Sequence, residues 1–263
     1  MQARLRSYLS DNGVRLKQGT RLTKAGEVEG QIRQGRAWSS RQWQVIEILL
    51  TELRHADQQR QHWRSLMAQE VLAEPQLLSL VRLCGVREVV AFALGAFVGD
   101  IQRFASPKKL VKYVGLNPAF DDSGQAEWRG GIGGHGHKLL RSLLIEGAQA
   151  ILRCGKSPLA RWGKKLLASK GSVNLAVAAI ARKLTVAVWY LMMGRWTALE
   201  ELDTRLLAKV GKMITSVGQQ GLQSLGKTRQ VYRQEICQRL KTGREYVLDP
   251  NKKLVPPPAG SPA

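Results

Sequence analysis

The stretch FDDSGQAEWRGGIGGHGHKLLRSLL, residues 120–144, brings together groups that could perform phosphoryl-transfer chemistry. Ser123 follows two aspartates and precedes a glycine-rich run, and the cations Arg129, Lys138 and Arg141 come after it. A serine hydroxyl that attacks a phosphodiester needs cations and backbone N–H groups nearby, because negative charge grows on the phosphoryl oxygens in the transition state. We therefore take Ser123 as a candidate nucleophile and the three cations as candidate phosphate contacts.

Two other interpretations use the same residues. Asp-Ser-Gly is ordinary turn chemistry, so Ser123 could simply belong to a loop. Asp121, Asp122, His135 and His137 could bind a metal ion, but their spacing matches no ligand pattern typical of a metal site. The two histidines are more simply read as neutral loop residues that touch phosphate or water. The sequence predicts no metal site in this chain.

The chain carries a large excess of positive charge. Lys and Arg number 41 against 20 Asp and Glu, which gives a net charge of +21 over 263 residues. Such an excess costs self-repulsion in the folded protein, and a polyanionic partner such as DNA or RNA explains it best. Apolar residues make up 44% of the chain, enough for a folded core, so an intrinsically disordered protein is excluded.

Basic residues are concentrated where acidic residues are missing. Between Gly147 and Leu199 the sequence has nine Lys or Arg and no Asp or Glu. A solvated surface normally mixes both signs, so this window predicts a face that follows phosphates without reading base sequence. Trp162, Trp189 and Trp196 lie in the window, where apolar neighbours favour core packing over base stacking. The candidate nucleic-acid contacts from this window and from the preceding RFASPKK segment are Lys108, Lys109, Lys164, Lys165, Arg182 and Lys183.

Residues 1–75 are predicted to form a helical linker or coiled-coil region. Ser39 and Ser40 are candidate caps for the helix RQWQVIEILLTELRHADQQRQHW. Apolar residues recur in this helix at three- and four-residue steps, as on a packing or coiled-coil face. They are Trp43, Ile46, Leu50 and Leu53. Pro75 should interrupt the chain here, since proline breaks a helix interior.

Residues 76–200 are predicted to form a compact α domain around the serine loop. Short helical patterns alternate with glycines in its first part, and either of two units fits them. A helix-hairpin-helix would offer backbone N–H groups to a phosphate, whereas a tightly packed αα-hairpin would use glycine for close approach. Ser106 is a candidate cap with Pro107 at the first helical position. The glycines are Gly85, Gly95, Gly99 and Gly115.

The apolar run LAVAAIARKLTVAVWYLMM approaches the length of a membrane span. Arg182 and Lys183 lie at its centre, where charge is costly in lipid, so the run predicts a buried helix and no membrane partner. Three scattered cysteines indicate reduced thiols and a cytoplasmic protein. Residues 201–263 are predicted to be a polar, basic extension with a disordered VPPPAGSPA end. The predicted fold class is mainly α.

The order and spacing of several motifs resemble a known family. Between about residues 77 and 194 the chain has a glycine hairpin, then GDIQRF, LVKYVGLNP, an SG step followed by RGGI, and LLRSLL. This series resembles the C-terminal domain of transposases of the insertion-sequence one-hundred-and-ten family, including its eleven-eleven branch. The resemblance covers about half of the chain.

The resemblance implies a specific role for Ser123. In that family the serine of the SG element is the recombination nucleophile, so a covalent phosphoserine bond to a DNA strand is expected at this position. Members of the family form oligomers, and a guide RNA made by the element selects the DNA. The expected partners are therefore DNA, a guide RNA, and further copies of this chain or of a full-length transposase.

Two departures from the family pattern shape the expectation. The family begins with a RuvC-like domain whose four acidic residues bind Mg²⁺, and this chain begins after the position where they would occur. No Mg²⁺ is therefore expected without that missing domain. Gly133 and Gly134 also stand where the family usually has a Ser-Lys or Thr-Lys step, so Lys138 or His135 would replace the customary lysine. A truncated or decayed transposase is expected, which alone binds DNA or RNA but recombines poorly. The alternative is a non-catalytic nucleic-acid-binding remnant or regulator that co-assembles with full-length transposase.

Overall fold

The computed structural model describes residues 2–16, 25–123, 126–132, 135–155, 157–195, 204–241, 247–248 and 254–255. The chain separates into two compact units, Met1–Arg64 and Ser65–Ala263. Helices dominate both units, which confirms the predicted mainly α class. The predicted domain limits at residues 75/76 and 200/201 stay predictions.

The helices are α1 (Gln2–Asp11), α2 (Ala25–Gly35), α3 (Ser40–Ala73), α4 (Pro75–Leu80), α5 (Glu88–Val98), α6 (Pro107–Val114), α7 (Lys138–Cys154), α8 (Pro158–Lys170), α9 (Val173–Met192), α10 (Thr204–Ser224) and α11 (Arg229–Lys241). A short 3-10 helix, Ile101–Arg103, lies between α5 and α6. The strands are β1 (Pro118–Ser123), β2 (Ala126–Ile132), β3 (Val247–Leu248) and β4 (Leu254–Val255). They form two antiparallel hairpins, β1–β2 and β3–β4.

The first unit is organised by the apolar stripe of α3. Ile46, Leu50 and Leu53 are buried together with residues of α1 and α2, so the stripe is a packing face, as predicted. Ser39 caps the helix: its Oγ accepts the Gln42 N–H at 3.3 Å, and its own N–H donates to Gln42 Oε1 at 3.1 Å. This reciprocal pair satisfies two backbone donors that a helix start otherwise leaves open. Ser40 is the first helical residue rather than the cap.

The second unit is built around α9, which packs against α4, α6, α7 and α8. Pro75 ends the preceding helix as predicted, since α3 stops at Ala73 and α4 starts at Pro75. By length and composition α9 could cross a membrane, but 61% of its apolar window is buried inside the protein. Arg182 and Lys183 are exposed, so their charge stays in water while the opposite face fills the core. The helix is thus the buried core helix that the sequence predicts.

The sequence predicts a polar extension beyond residue 200, but the described helices of this segment also contribute to the core. Helix α10 is amphipathic and buries Val210 and Met213, and α11 buries Ile236, in the same core as α9. Lys209 Nζ donates to the carbonyl oxygens of Val81 and Leu83, both at 2.7 Å. Charged donors of this kind satisfy carbonyls that a helix C-terminus leaves without partners. The last residues, 256–263, lie outside the described residues, and the predicted disorder of the Pro-rich end falls there.

Stability should fall at high pH because of Tyr232 in α11. Burial raises the pKa of its phenol above the usual value, Arg239 lowers that pKa, and Glu235 raises it. A raised pKa in the folded state means that the stabilisation is complete below the pKa of the unfolded chain and is lost as pH rises through the folded pKa.

We therefore expect the free energy of unfolding to decrease above about pH 10. Urea unfolding of the wild type and of Tyr232→Phe at a series of alkaline pH values measures this. The two curves should diverge as pH rises, and parallel curves would contradict the prediction.

Candidate nucleic-acid interface

Ser123 lies at the end of a β-hairpin and not in the loop that the sequence suggested. Strand β1 pairs antiparallel with β2, and Ser123 is paired with Ala126 at the end of the ladder. Phe120 and Trp128 belong to residue types that favour strands, and Gly124 lies between the strands in sequence. The hairpin forms the connection between α6 and α7. Ser123 lies near its tip, away from both helices along the chain. The side chains of Ser123 and Arg129 lie outside the described part of the structure.

The base of this hairpin is held by a glycine contact. Gly115 ends α6 with φ +79°, and Gly136 precedes α7 with φ +108°. A Cβ on Gly136 would lie 2.5 Å from Gly115 Cα, and a Cβ on Gly115 would overlap the His135 carbonyl oxygen. Only glycine lets two backbones approach so closely with these dihedral angles.

Hydrogen bonds reinforce the same junction. Arg141 Nη1 donates to the His135 carbonyl at 3.0 Å and to the Gly115 carbonyl at 3.4 Å. The His137 N–H donates to the Tyr113 carbonyl at 2.9 Å. Arg141 was predicted as a phosphate contact, and the structure shows it binding backbone on both sides of the hairpin. Its role toward phosphate stays a prediction.

His137 is the N-cap of α7, rather than a loop residue as the sequence suggested. Its Nδ1 accepts the Leu140 N–H at 3.3 Å. The imidazole lies against Phe97, with ring centroids 4.5 Å apart, and against Tyr113 at 5.9 Å. Tyr113 in turn donates its hydroxyl to the Phe97 carbonyl at 2.9 Å. The start of α7 is therefore fixed to α5 and α6 by a cap and an aromatic cluster.

Three of the four predicted glycines support close packing: Gly115, as described above, Gly85 and Gly95, although Gly95 lies within helix α5 and not at a turn. A Cβ on Gly85 would lie 2.8 Å from the Gly147 carbonyl oxygen, so this turn packs directly on α7. A Cβ on Gly95 would lie 2.6 Å from Leu77 Cδ2. These contacts are what a packed αα-hairpin requires. A phosphate-binding helix-hairpin-helix stays a prediction.

Three of the predicted cations meet at one pocket. Lys108 at the start of α6 and Arg182 and Lys183 in the middle of α9 line a cavity of about 370 Å³. Asn117, which immediately precedes β1, and Trp162 of α8 complete its polar and aromatic lining. The Lys183 ammonium lies 4.6 Å from the centroid of the Trp162 ring. The remaining lining is apolar and consists of Val111, Ala179 and Val186.

The other predicted cations are not part of this pocket. Lys109, Lys165 and Lys138 are exposed on α6, α8 and at the start of α7. Lys164 donates to the Gly155 carbonyl at 3.4 Å, which ties it to the turn before α8. They lie on the surface outside this pocket, and their contacts with phosphate stay predictions.

Sequence reasoning missed Asn117 and assigned Trp162 to the core. Trp162 is only partly buried, and one face carries the Lys183 ammonium. The available signal for Trp162 was the Arg182–Lys183 pair in the middle of an apolar helix, because such cations often contact an aromatic side chain of a neighbouring helix. Asn117 had no comparable signal, because an Asn-Pro step is typical of many turns.

A magnesium ion would need a set of oxygen ligands. Among the described residues, no group of three or more His, Cys, Asp or Glu side chains could hold a metal ion. His137 Nδ1 is already used by the helix cap. The side chains of Asp121 and Asp122 lie outside the described residues, so the absence of a metal site stays a prediction.

Comparison with known proteins identifies the segment that contains the hairpin and part of the pocket. Residues 79–162 match the family described as Transposase IS116/IS110/IS902. Over this segment the chain is similar to that transposase family. The match runs from α4 into α8, so it includes Ser123, the Gly115–Gly136 contact, Lys108 and Trp162. Over this segment the predicted resemblance to the C-terminal part of IS110-family transposases is confirmed.

Two relatives show how far the similarity extends. The transposase for insertion sequence element IS1111A of Coxiella burnetii is 32% identical over 151 residues, covering 56% of this chain and 41% of the relative. A protein of Pseudomonas aeruginosa named as a family 20 transposase is 29% identical over 125 residues, covering 46% of this chain and 37% of the relative. The match thus spans less than half the length of either relative. Insertion-sequence transposases are the proteins that this chain is similar to.

Proposed function

We propose that this chain binds DNA and forms a covalent bond to a DNA strand through Ser123 during transposition. The observation that carries the proposal is the position of Ser123. It lies inside the family match, at the end of a hairpin whose base is fixed by the Gly115–Gly136 contact. A nucleophile on such a support can be presented to a large substrate without disturbing the helical core.

The proposed chemistry is a phosphoryl transfer. The Ser123 oxygen attacks the phosphorus of a phosphodiester, and a new P–O bond forms while the bond to one sugar oxygen breaks. The hydroxyl proton leaves the serine, and the departing sugar oxygen becomes a hydroxyl. Attack by a sugar hydroxyl of another strand reverses these steps and releases the serine. Cations near the phosphate stabilise the negative charge of each transition state, and we assign this role to Arg129 and Lys138.

The DNA partner is supported by charge as well as by family. The net charge of +21 and the acid-free window favour a polyanion over a neutral or acidic substrate. We place the protein in the bacterial cytoplasm together with its DNA. A guide RNA and a second copy of the chain, or a full-length transposase, belong to the same proposal through the resemblance to this family.

The nucleophile assignment can be tested directly on the wild-type chain. The protein is incubated with DNA of the element ends, denatured, and treated with nuclease to trim the joined strand. Mass spectrometry of its peptides should then find a nucleotide phosphate on Ser123. A nucleotide on any other residue would contradict the assignment.

A non-catalytic nucleic-acid-binding module is the second candidate function. The pocket lined by Lys108, Arg182 and Lys183 supports it, because these cations could bind nucleic acid without any reaction at Ser123. A denaturing gel separates the two candidates. Wild-type protein that shifts DNA under native conditions but leaves no covalent band would favour the binding module as the function of this chain.

A further inference from the structure

We propose that the pocket between α6, α8 and α9 binds one unpaired nucleotide of the DNA strand. Its lining combines the three features that such a ligand requires: cations for the phosphate, an aromatic face for the base and apolar walls for the sugar. The inference rests on the proposed function for the identity of the polyanion as DNA, and it adds a binding site for a single nucleotide.

The positive charge of the pocket is not neutralised within the described residues. Lys108, Arg182 and Lys183 line it, and no described carboxylate forms an ion pair with any of them. Like charges that converge on one cavity repel one another unless an anion binds between them. The fold brings the start of α6 and the middle of α9, which are far apart in sequence, to one cavity. A general basic surface would not require this convergence.

The shape of the cavity favours a nucleotide over a bare phosphate. Its volume of about 370 Å³ lies in the range of small-molecule sites, about 300–1,000 Å³. Val111, Ala179 and Val186 add apolar surface that an inorganic ion would not use. A base that leaves the stack can instead pack on apolar and aromatic side chains.

Trp162 supplies the stacking face. The Lys183 ammonium now lies 4.6 Å from the ring centroid, at the end of a flexible four-carbon chain. When the phosphate of a nucleotide enters, this ammonium moves from the ring to the phosphate, and the ring face becomes available to the base. Asn117 contributes an amide donor and acceptor at the same cavity.

The position of Asn117 relates the pocket to the hairpin. It immediately precedes β1, and Ser123 ends that strand, at most about 20 Å along the backbone at the usual rise per residue. A DNA strand whose phosphate lies at Ser123 can therefore place a nearby nucleotide in the pocket. An unpaired nucleotide is expected there because a stacked and paired base could not enter.

Binding of a labelled single-stranded oligonucleotide of about twelve nucleotides tests the proposal, with a duplex of the same sequence as the comparison. Fluorescence anisotropy gives both dissociation constants. Trp162→Leu should weaken single-strand binding about tenfold, the size expected for loss of one base stack, and leave duplex binding unchanged. Trp162→Phe keeps an aromatic face and should retain most of the affinity.

Matched charge variants separate the pocket from the general surface. Arg182→Gln and Lys112→Gln each remove one exposed positive charge, but only Arg182 lines the pocket. Arg182→Gln should weaken single-strand binding several-fold more than Lys112→Gln does. The proposal would be overturned if Arg182→Gln and Lys112→Gln weakened single-strand binding equally, or if Arg182→Gln weakened single-strand and duplex binding equally. This comparison remains decisive if Trp162→Leu fails to fold.

Ser123→Ala distinguishes this inference from the proposed reaction. That variant should bind the single strand as the wild type does, because it leaves the pocket intact. If the wild type gives no covalent band but Trp162→Leu still loses single-strand binding, the nucleotide site stands and the nucleophile assignment fails. The reverse result would retain the nucleophile and remove the site.

Discussion

Ser123→Ala should abolish the covalent protein–DNA band and leave native DNA binding at the wild-type level. Removal of an attacking hydroxyl lowers the rate of a covalent step by several orders of magnitude, because no other group occupies its position. Binding depends instead on the basic surface and on the pocket, which the variant leaves unchanged. A denaturing gel with labelled DNA measures the band, and a native gel measures the binding.

Ser142→Ala is the matched control for this experiment. Ser142 lies on the exposed face of α7 in the same sequence segment, and its Oγ donates to the Leu139 carbonyl at 2.9 Å. The variant removes the same hydroxyl group and should keep the covalent band. A band that persists in Ser123→Ala would show that another residue is the nucleophile.

Helices were the most predictable part of this protein. The 3.6-residue period and the end signals are local, so α9 lies close to its predicted limits, and Ser39 and Pro75 act as the sequence indicates. Tertiary contact decided the parts that were missed. Basic residues interrupt the apolar residues of α10 and α11, so the sequence pattern does not show that these helices join the core. The structure shows it, because Lys209 binds two carbonyls in the turn after α4.

The candidate site was predictable by residue type and not by arrangement. Lys108, Arg182 and Lys183 were expected to bind phosphate, but their common cavity depends on how α6 packs against α9. Arg141 was expected to contact phosphate, and this stays a prediction, while Arg141 Nη1 also donates to backbone carbonyls at the hairpin base. His137 was expected to lie in a loop, and its Nδ1 instead accepts the Leu140 N–H as the cap of α7. The residue types do not reveal which backbone carbonyls and N–H groups will need side-chain partners, because this depends on the fold. Residues that the sequence associates with phosphate thus also support the strand that carries Ser123.

Gly115→Ala should destabilise the second unit far more than an ordinary glycine replacement. Its φ of +79° alone costs an alanine about 1–2 kcal/mol. The added Cβ would also overlap the backbone oxygen of His135, which cannot move away by a side-chain rotation. The end of α6 and the start of α7 would have to separate, and the bonds from Arg141 and from the His137 N–H would weaken with them. We expect a total loss of about 4 kcal/mol in the free energy of unfolding.

Gly171→Ala isolates the steric part of this effect. Gly171 ends α8 with φ +66°, and an added Cβ there would meet nothing within 4 Å, so only the backbone cost of about 1–2 kcal/mol applies. Urea unfolding of both variants gives the difference. Gly115→Ala should also lose the covalent band, because the hairpin no longer has a fixed base, whereas Gly171→Ala should retain it. Equal destabilisation by the two substitutions would mean that the α6–α7 junction yields to a methyl group, and Ser123 would then have no rigid support from which to attack.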